Sequence, residues 1–443
     1  MKVTPSEQAV ARQRPQTAPS FAEAFRFWLK LGFISFGGPS GQIAMMHAEL
    51  VEKKRWIDNS RFLHALNFCM LLPGPEAQQL AIYIGWLWHK TRGGIVAGAL
   101  FVIPSIFILW ALSYVYVAYG HVPSIAAIFY GLKPAVLAIV AAAVIRIGRK
   151  ALKNFVMWTI AAAAFVAIYF FHVPFPVIVV AAAVIGLLGG KTLPQYFRSE
   201  NARSVDVAPT GKAADLVKPS VRRTLKVSLI WIVVWATPLT LAGIFLGTDH
   251  SIFREGIFFS KAAVITFGGA YAVLPYVSQQ AVEHYHWLTA PQMLDGLGLA
   301  ETTPGPLIMV LQFVGFLGAW NQPGHLPPLL AGTLGALITT WTTFVPCFLW
   351  IFLGAPYIEK LRGNESLTSA LSTVTAAVVG VILNLAVWFG LHVIFPRSGN
   401  VDWFAVVVCA VAFIGMLRWK WNIVPVVLGS ALLGLIYTLV GFR

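Results

Sequence analysis

The sequence predicts an all-α polytopic membrane protein built from two inverted-topology repeats, each carrying hairpin helices broken at Gly and Pro. Three observations lead there. Of 443 residues, 58% are hydrophobic and 11% charged, with a mean hydropathy of +0.74, whereas soluble domains carry about a quarter charged residues. Uncharged runs such as 227–246 and 156–171 approach the roughly 20 residues that cross a hydrocarbon core about 30 Å thick. The third observation is a set of landmarks that recurs along the chain at one spacing.

Phe27-Trp28-Leu29-Lys30 followed by Phe36-Gly37-Gly38 returns as Phe258-Phe259-Ser260-Lys261 followed by Phe267-Gly268-Gly269, at an offset of 231. The same offset carries Trp56 to Trp287 and Pro73-Gly74-Pro75 to Pro304-Gly305-Pro306. Pro104 then matches Pro346 at 242, the extra eleven residues falling in the Pro/Gly-rich loop near 321–328.

Taken in order, residues 1–20 form a polar tail containing Arg12 and Arg14 but no apolar stretch of the kind a cleaved signal requires. A cytosolic N-terminus is expected, with insertion driven by the spans themselves. Residues 21–190 are the first repeat. Residues 191–226, with eight Lys or Arg against Glu200, Asp206 and Asp215, form a basic cytosolic linker. A single apolar helix, 227–246, precedes the second repeat, 252–441, and has no counterpart before the first. One extra crossing inverts the second copy.

Matched loops carry the charges that inversion requires. Glu52-Lys53-Lys54-Arg55-Trp56 reads as cytosolic, and Glu283-His284-Tyr285-His286-Trp287 as external. This works if segments 21–50 and 61–89 and their mates are re-entrant hairpins. Each half then adds four crossings (93–118, 122–147, 153–171 and 174–190 in the first), about nine in all plus four hairpins. Full crossings throughout would give about 13 spans. The formal charge of +15 lies in short loops rather than one stripe, which fits positive-inside topology and not a nucleic-acid surface. Cys69, Cys347 and Cys409 are odd in number and widely separated, so they suggest packing, not a disulfide framework or a metal site.

Breaks at matched positions of inverted repeats point to a midplane substrate site. Gly37-Gly38 lets the backbone turn sharply and Pro39 opens a new helix; Pro73-Gly74-Pro75 and Pro304-Gly305-Pro306 do the same. A restarted helix offers unpaired N–H groups and about half a positive charge, which favours an anion. Ser40, Thr302 and Thr303 could add hydroxyl donors. The bland alternative is that Gly and Pro only kink or pack membrane helices.

Lys30 and Lys261 each lie inside an apolar arm, seven residues before a Gly-Gly pair and so on the same helical face. They read either as a cation pair neutralising a dianion or as snorkelling side chains. Glu76 follows the first Pro-Gly-Pro and Glu301 precedes the second, without acidic mates. They are the proton-coupling candidates, or simply helix-dipole partners; Asp295 is a weaker one. Gln78, Gln79, Gln279 and Gln280 are candidate oxyanion donors or partners for freed backbone groups.

Phe36-Gly37-Gly38-Pro39, Trp56 and Leu72-Pro73-Gly74-Pro75-Glu76-Ala77-Gln78-Gln79, with Phe267-Gly268-Gly269 and Thr303-Pro304-Gly305-Pro306, resemble the long-chain, two-domain chromate transporters of bacteria. The likeness runs over nearly the whole chain from about Phe21. It implies a multi-pass protein of the bacterial inner membrane that exports chromate and confers chromate resistance, with sulfate as a competing look-alike. One departure is Ala270, which stands where the first copy has Pro39. The implied partners are a chromate or sulfate-like oxyanion and the lipid bilayer; a homodimer is compatible, and neither cofactor nor metal is called for. From the residues alone an anion channel competes with a secondary carrier. A membrane enzyme finds no support, since neither a Walker motif nor a nucleophile elbow is present.

Overall fold

The computed structural model describes residues 18–197, 220–357, 365–396 and 400–441. Most of the N-terminal tail and of the basic linker lie outside these. The described residues are helical throughout, with no β-strand.

The first half opens with α1 (Phe21–Ile34), capped by Ser20 and Glu23 in a reciprocal capping box. α2 (Gly38–His47) follows and runs into a π-turn, Ala48–Lys53. Then come α3 (Asn59–Cys69), capped by Asp58, and α4 (Glu76–Tyr119). α4 is interrupted at His89 and Lys90, whose φ/ψ are non-helical; its limbs, 76–88 and 91–119, are α4a and α4b. α5 (Pro123–Ala151), α6 (Phe155–Phe171), α7 (Phe175–Thr192) and the one-turn α8 (Pro194–Phe197) complete this half.

The connecting helix α9 spans Val221–Leu246. It starts before the expected 227, because Arg222, Arg223 and Lys226 are good helix formers whose heads can snorkel out of the bilayer.

The same order of elements then recurs. α10 (Ser251–Ile265), α11 (Ala270–Gln279) with a π-turn at Gln280–His284, and α12 (Ala290–Thr302) match α1 to α3. A short 3₁₀ turn, Leu307–Met309, leads into α13 (Val310–Asn321), and α14 (Pro328–Gly354) follows; together they match the limbs of α4. α15 (Glu365–Ile394), α16 (Trp403–Arg418) and α17 (Ile423–Leu439) match α5 to α7. The likeness extends to single residues: Arg55 and His286, just before the paired tryptophans, share the left-handed φ of 52°.

Among the described residues six helices, α4, α5, α7, α9, α14 and α15, are long and apolar enough to cross a membrane. α6, α16 and α17, at 16 or 17 residues, rise about 25 Å each at 1.5 Å per residue. α9 is the most peripheral, with Ala242 its only buried residue; Trp231 stacks on Phe348 of α14 at 5.1 Å.

The halves pack by exchange. α5 lies against α16 and α17 of the other half, α15 lies against α6 and α7, and α5 and α15 touch each other. Lipid supplies no hydrophobic drive between helices, so close approach depends on small residues. A Cβ on Gly131 would stand 2.1 Å from the carbonyl oxygen of Ser430, and one on Gly380 would stand 2.0 Å from that of Ala161. These glycines fix the α5–α17 and α15–α6 seams.

Candidate functional site

All four breaks meet where the halves cross. Gly37, Gly38, Gly268 and Gly269 take φ between 68° and 88°, and Gly74 and Gly305 take 117° and 112°, values an L side chain rarely adopts. The bent strands are then sewn to the opposite half. Gly74 N–H donates to Thr266 O at 2.8 Å, and its mate Gly305 N–H donates to Ser35 O at 2.7 Å.

The helices carrying Pro104 and Pro346 complete the knot. Ser105 Oγ donates to Pro304 O at 2.6 Å, and a Cβ on Gly74 would stand 3.0 Å from the sulfur of Cys347, the residue that matches Ser105. Gln42 Nε2 donates to Gly305 O, and Gln79 Nε2 to Pro73 O at 2.6 Å. Freed carbonyls are thus satisfied by buried amides, as their burial requires.

α1, α3, α6, α12 and α16 are capped by Ser20, Asp58, Asn154, Thr289 and Asp402. The four that begin at the breaks, α2, α4a, α11 and the 3₁₀ turn before α13, have no side-chain cap, and neither do α5, α7, α9, α14 and α17. At the breaks the leading N–H groups keep the partial positive charge of an uncapped helix start.

The predicted residues distribute unevenly about this knot. Glu76 heads α4a, partly exposed, with Oε1 3.7 Å from where a Cβ on Gly269 would stand, so one carboxylate faces the start of α11 from the other half. Glu301 is buried and accepts a hydrogen bond from Tyr271 Oη at 2.6 Å. Thr302 and Thr303 give their hydroxyls to carbonyls within α12. Ser40 is exposed.

Lys30 and Lys261 are both exposed on their arms. Lys30 lines a cleft of about 260 Å³ with Glu23, Arg26, Glu49, Lys54 and Trp56, at the rim of the first hairpin. Gln279 lines a separate cleft with Glu283 and Trp388.

Sequence reasoning missed Lys133. It sits in apolar α5, 3.6 Å from buried Asp295, which also accepts from Tyr116 Oη at 2.9 Å. A charge inside a spanning helix was the available signal. Gln42 and Tyr271 carried none, since only the crossing of the halves brings them to the breaks.

The family model for "Chromate transporter" matches residues 22–187 and 254–435. The chain is 30% identical over 426 residues to a chromate transport protein of Cupriavidus metallidurans, covering 95% of this chain and 94% of that one. It is 31% identical over 427 residues to a chromate transport protein of Pseudomonas aeruginosa, covering 94% and 92%. To a probable chromate transport protein of Synechococcus elongatus it is 28% identical over 376 residues, covering 84% and 85%. No solved structure matches.

Proposed function

Starting from the premise that this chain belongs to the chromate transporter family, we propose that it is a secondary carrier exporting chromate from the cytosol across the bacterial inner membrane, thereby conferring chromate resistance. The observation that carries the reading is the set of four uncapped helix starts gathered at one crossing of the two halves. Such starts favour an oxyanion and hold it by backbone N–H groups. Chromate comes from the similar proteins, which are chromate transport proteins.

In this reading the residues around the breaks bind substrate: Gly37 to Ser40, Pro73 to Pro75, Gly268, Gly269 and Thr303 to Pro306. Lys30 and Lys261 draw the dianion toward them from the rims. Glu76 and Glu301 exchange the coupling proton. Residues 21–190 and 252–441 are repeats of opposite orientation, with the N-terminus and the Lys53-Lys54-Arg55 loop cytosolic and the His284 loop external.

Uptake of chromate and of sulfate into inverted membrane vesicles, with and without an imposed proton gradient, tests this. The expected result is saturable, gradient-responsive chromate accumulation. Sulfate uptake alone would reassign the substrate, and flux that follows voltage without saturating would reassign the protein as a channel.

A further inference from the structure

Away from the knot, one carboxyl lies among apolar helices with nothing to answer its charge. Glu255, on α10, is fully buried, and among the described residues neither of its side-chain oxygens has a hydrogen-bond partner. The carboxyl sits in a notch between α13 and α14 that exists because two residues there are glycine. A Cβ on Gly318 would stand 2.4 Å from Oε1, and one on Gly335 would stand 2.8 Å from Oε2. Trp287 closes the notch, its ring 2.9 Å from the atom added at Gly318.

Among the described residues no charged group faces Glu255 from the elements around it. α13 and α14 carry none along their lengths. On α9, Arg222, Arg223 and Lys226 lie at the opposite end, where Arg223 donates to Phe352 O. Arg254, its neighbour on α10, is exposed and pairs with Asp249 at 2.8 Å, and Lys261 is exposed. α11 brings only Tyr271 and Tyr276, and the Tyr271 hydroxyl is given to Glu301. Beside Trp287, Glu283, His284 and His286 are exposed, and Tyr285 stacks on the indole at 4.4 Å.

A carboxylate buried without donors or a counter-charge takes up a proton rather than stay ionised, so Glu255 stands here as the neutral acid. Packing does not call for an acid at this place: at the offset of 231 the matching residue of α1 is Ala24, itself buried. An ionisable group that a membrane arm keeps without a packing need points to function.

The position ties a proton to the breaks. From Glu255, α10 runs about 15 Å to Ile265, then into Thr266, whose carbonyl oxygen accepts from Gly74 N–H, and into Gly268-Gly269. From Gly318, α13 leads back to Pro304-Gly305-Pro306. Ionising Glu255 draws water into the seam and loosens α10 from α13 and α14, which moves both breaks. The other way, only one turn, about 6 Å, separates Glu255 from Ser251. Ser251 Oγ donates to Gln322 O, beside the point where the rings of His250 and His325 stand 5.8 Å apart.

Resting on the carrier reading above, we infer that Glu255 is a proton-binding site of the transport cycle, separate from Glu76 and Glu301. It is loaded in this conformation and emptied toward the His250 and His325 loop when the seam around α10 opens.

Infrared difference spectroscopy on the full chain in liposomes tests this. The spectrum of the wild type minus that of Glu255→Gln should contain the C=O stretch of a protonated carboxyl. The band should exchange in heavy water and vanish as the pH is raised. Saturating chromate should displace the pH of its loss, because a proton and a substrate that share a cycle alter each other's binding equally. Absence of the band, or a band that neither exchanges nor titrates, makes Glu255 an ionised or a purely packing residue and overturns the inference. So does a titrating band that chromate leaves in place in a chain still moving chromate; the carrier reading then stands. A band displaced by sulfate but not by chromate would keep the proton site and overturn the substrate.

Should Glu255→Gln fold poorly, the wild-type chain treated with dicyclohexylcarbodiimide gives a second measurement. The reagent adds to protonated carboxyls in apolar surroundings, so mass mapping should find it on Glu255, in falling yield as the pH is raised. Its absence from Glu255 at every pH overturns the site.

Discussion

Gly74 hands its backbone N–H to the carbonyl oxygen of Thr266 across the interface of the two halves, and Gly305 makes the mirrored bond to Ser35. Two hydrogen bonds between broken strands thus join units that are far apart in sequence. They hold the helix starts in one place, and the following expectations test what those starts do.

Gly305→Ala should be among the most damaging single substitutions. Its φ is 112°, and the added Cβ would fall 1.7 Å from Ser105 Oγ. The strained conformation alone costs about 1–3 kcal/mol, and displacing Ser105 also breaks its bond to Pro304 O. Thermal unfolding in detergent should show a lowered midpoint. Ser105→Ala in the same chain should recover part of it, since the clash with the hydroxyl is then gone.

Lys133→Met should strip Asp295 of its cation while leaving the carboxylate buried. A loss of about 3 kcal/mol is expected, because removing one partner of a buried ion pair leaves an uncompensated buried charge. The double variant with Asp295→Asn should recover most of the loss. A double-mutant cycle on unfolding would show no coupling if Lys133 served only as a lipid-facing side chain.

Glu76→Gln keeps the size of the side chain and removes its ability to exchange a proton. Downhill chromate exchange in proteoliposomes should persist while its response to a proton gradient disappears. An unchanged gradient response in both Glu76→Gln and Glu301→Gln would remove these carboxylates from coupling.

Lys30 is exposed at the rim of the first hairpin, so its attraction for a dianion should act at entry. Lys30→Ala should raise KM for chromate with little change in maximal rate, and the difference should shrink as ionic strength screens the charge. Lys261→Ala should do so for flux entering from the opposite face. Wild-type kinetics in both variants would leave the lysines as snorkelling side chains.

For orientation, Lys54→Cys and His284→Cys occupy exposed, matched loops. Labelling from opposite faces of the membrane is expected, and labelling from one face would refute the inverted arrangement.

The sequence by itself determined the helical class, the helix order and the places where helices stop. Those follow from local physics: long apolar runs need lipid, Gly and Pro interrupt them wherever they stand, and Asp58 or Thr289 caps a helix whatever lies beyond. It also identified the residues of all four breaks, because Gly-Gly and Pro-Gly-Pro are visible at their spacing without any fold.

Only the tertiary structure decided which groups meet there. Bonds such as Gly74 to Thr266 and Ser105 to Pro304 join residues nearly two hundred positions apart, and no periodicity encodes them. It likewise placed Lys30 on the rim and Lys133 beside Asp295. The side a helical residue faces in a membrane is set by which helices pack around it, and along an almost uniformly apolar helix the sequence offers little contrast from which to read that side.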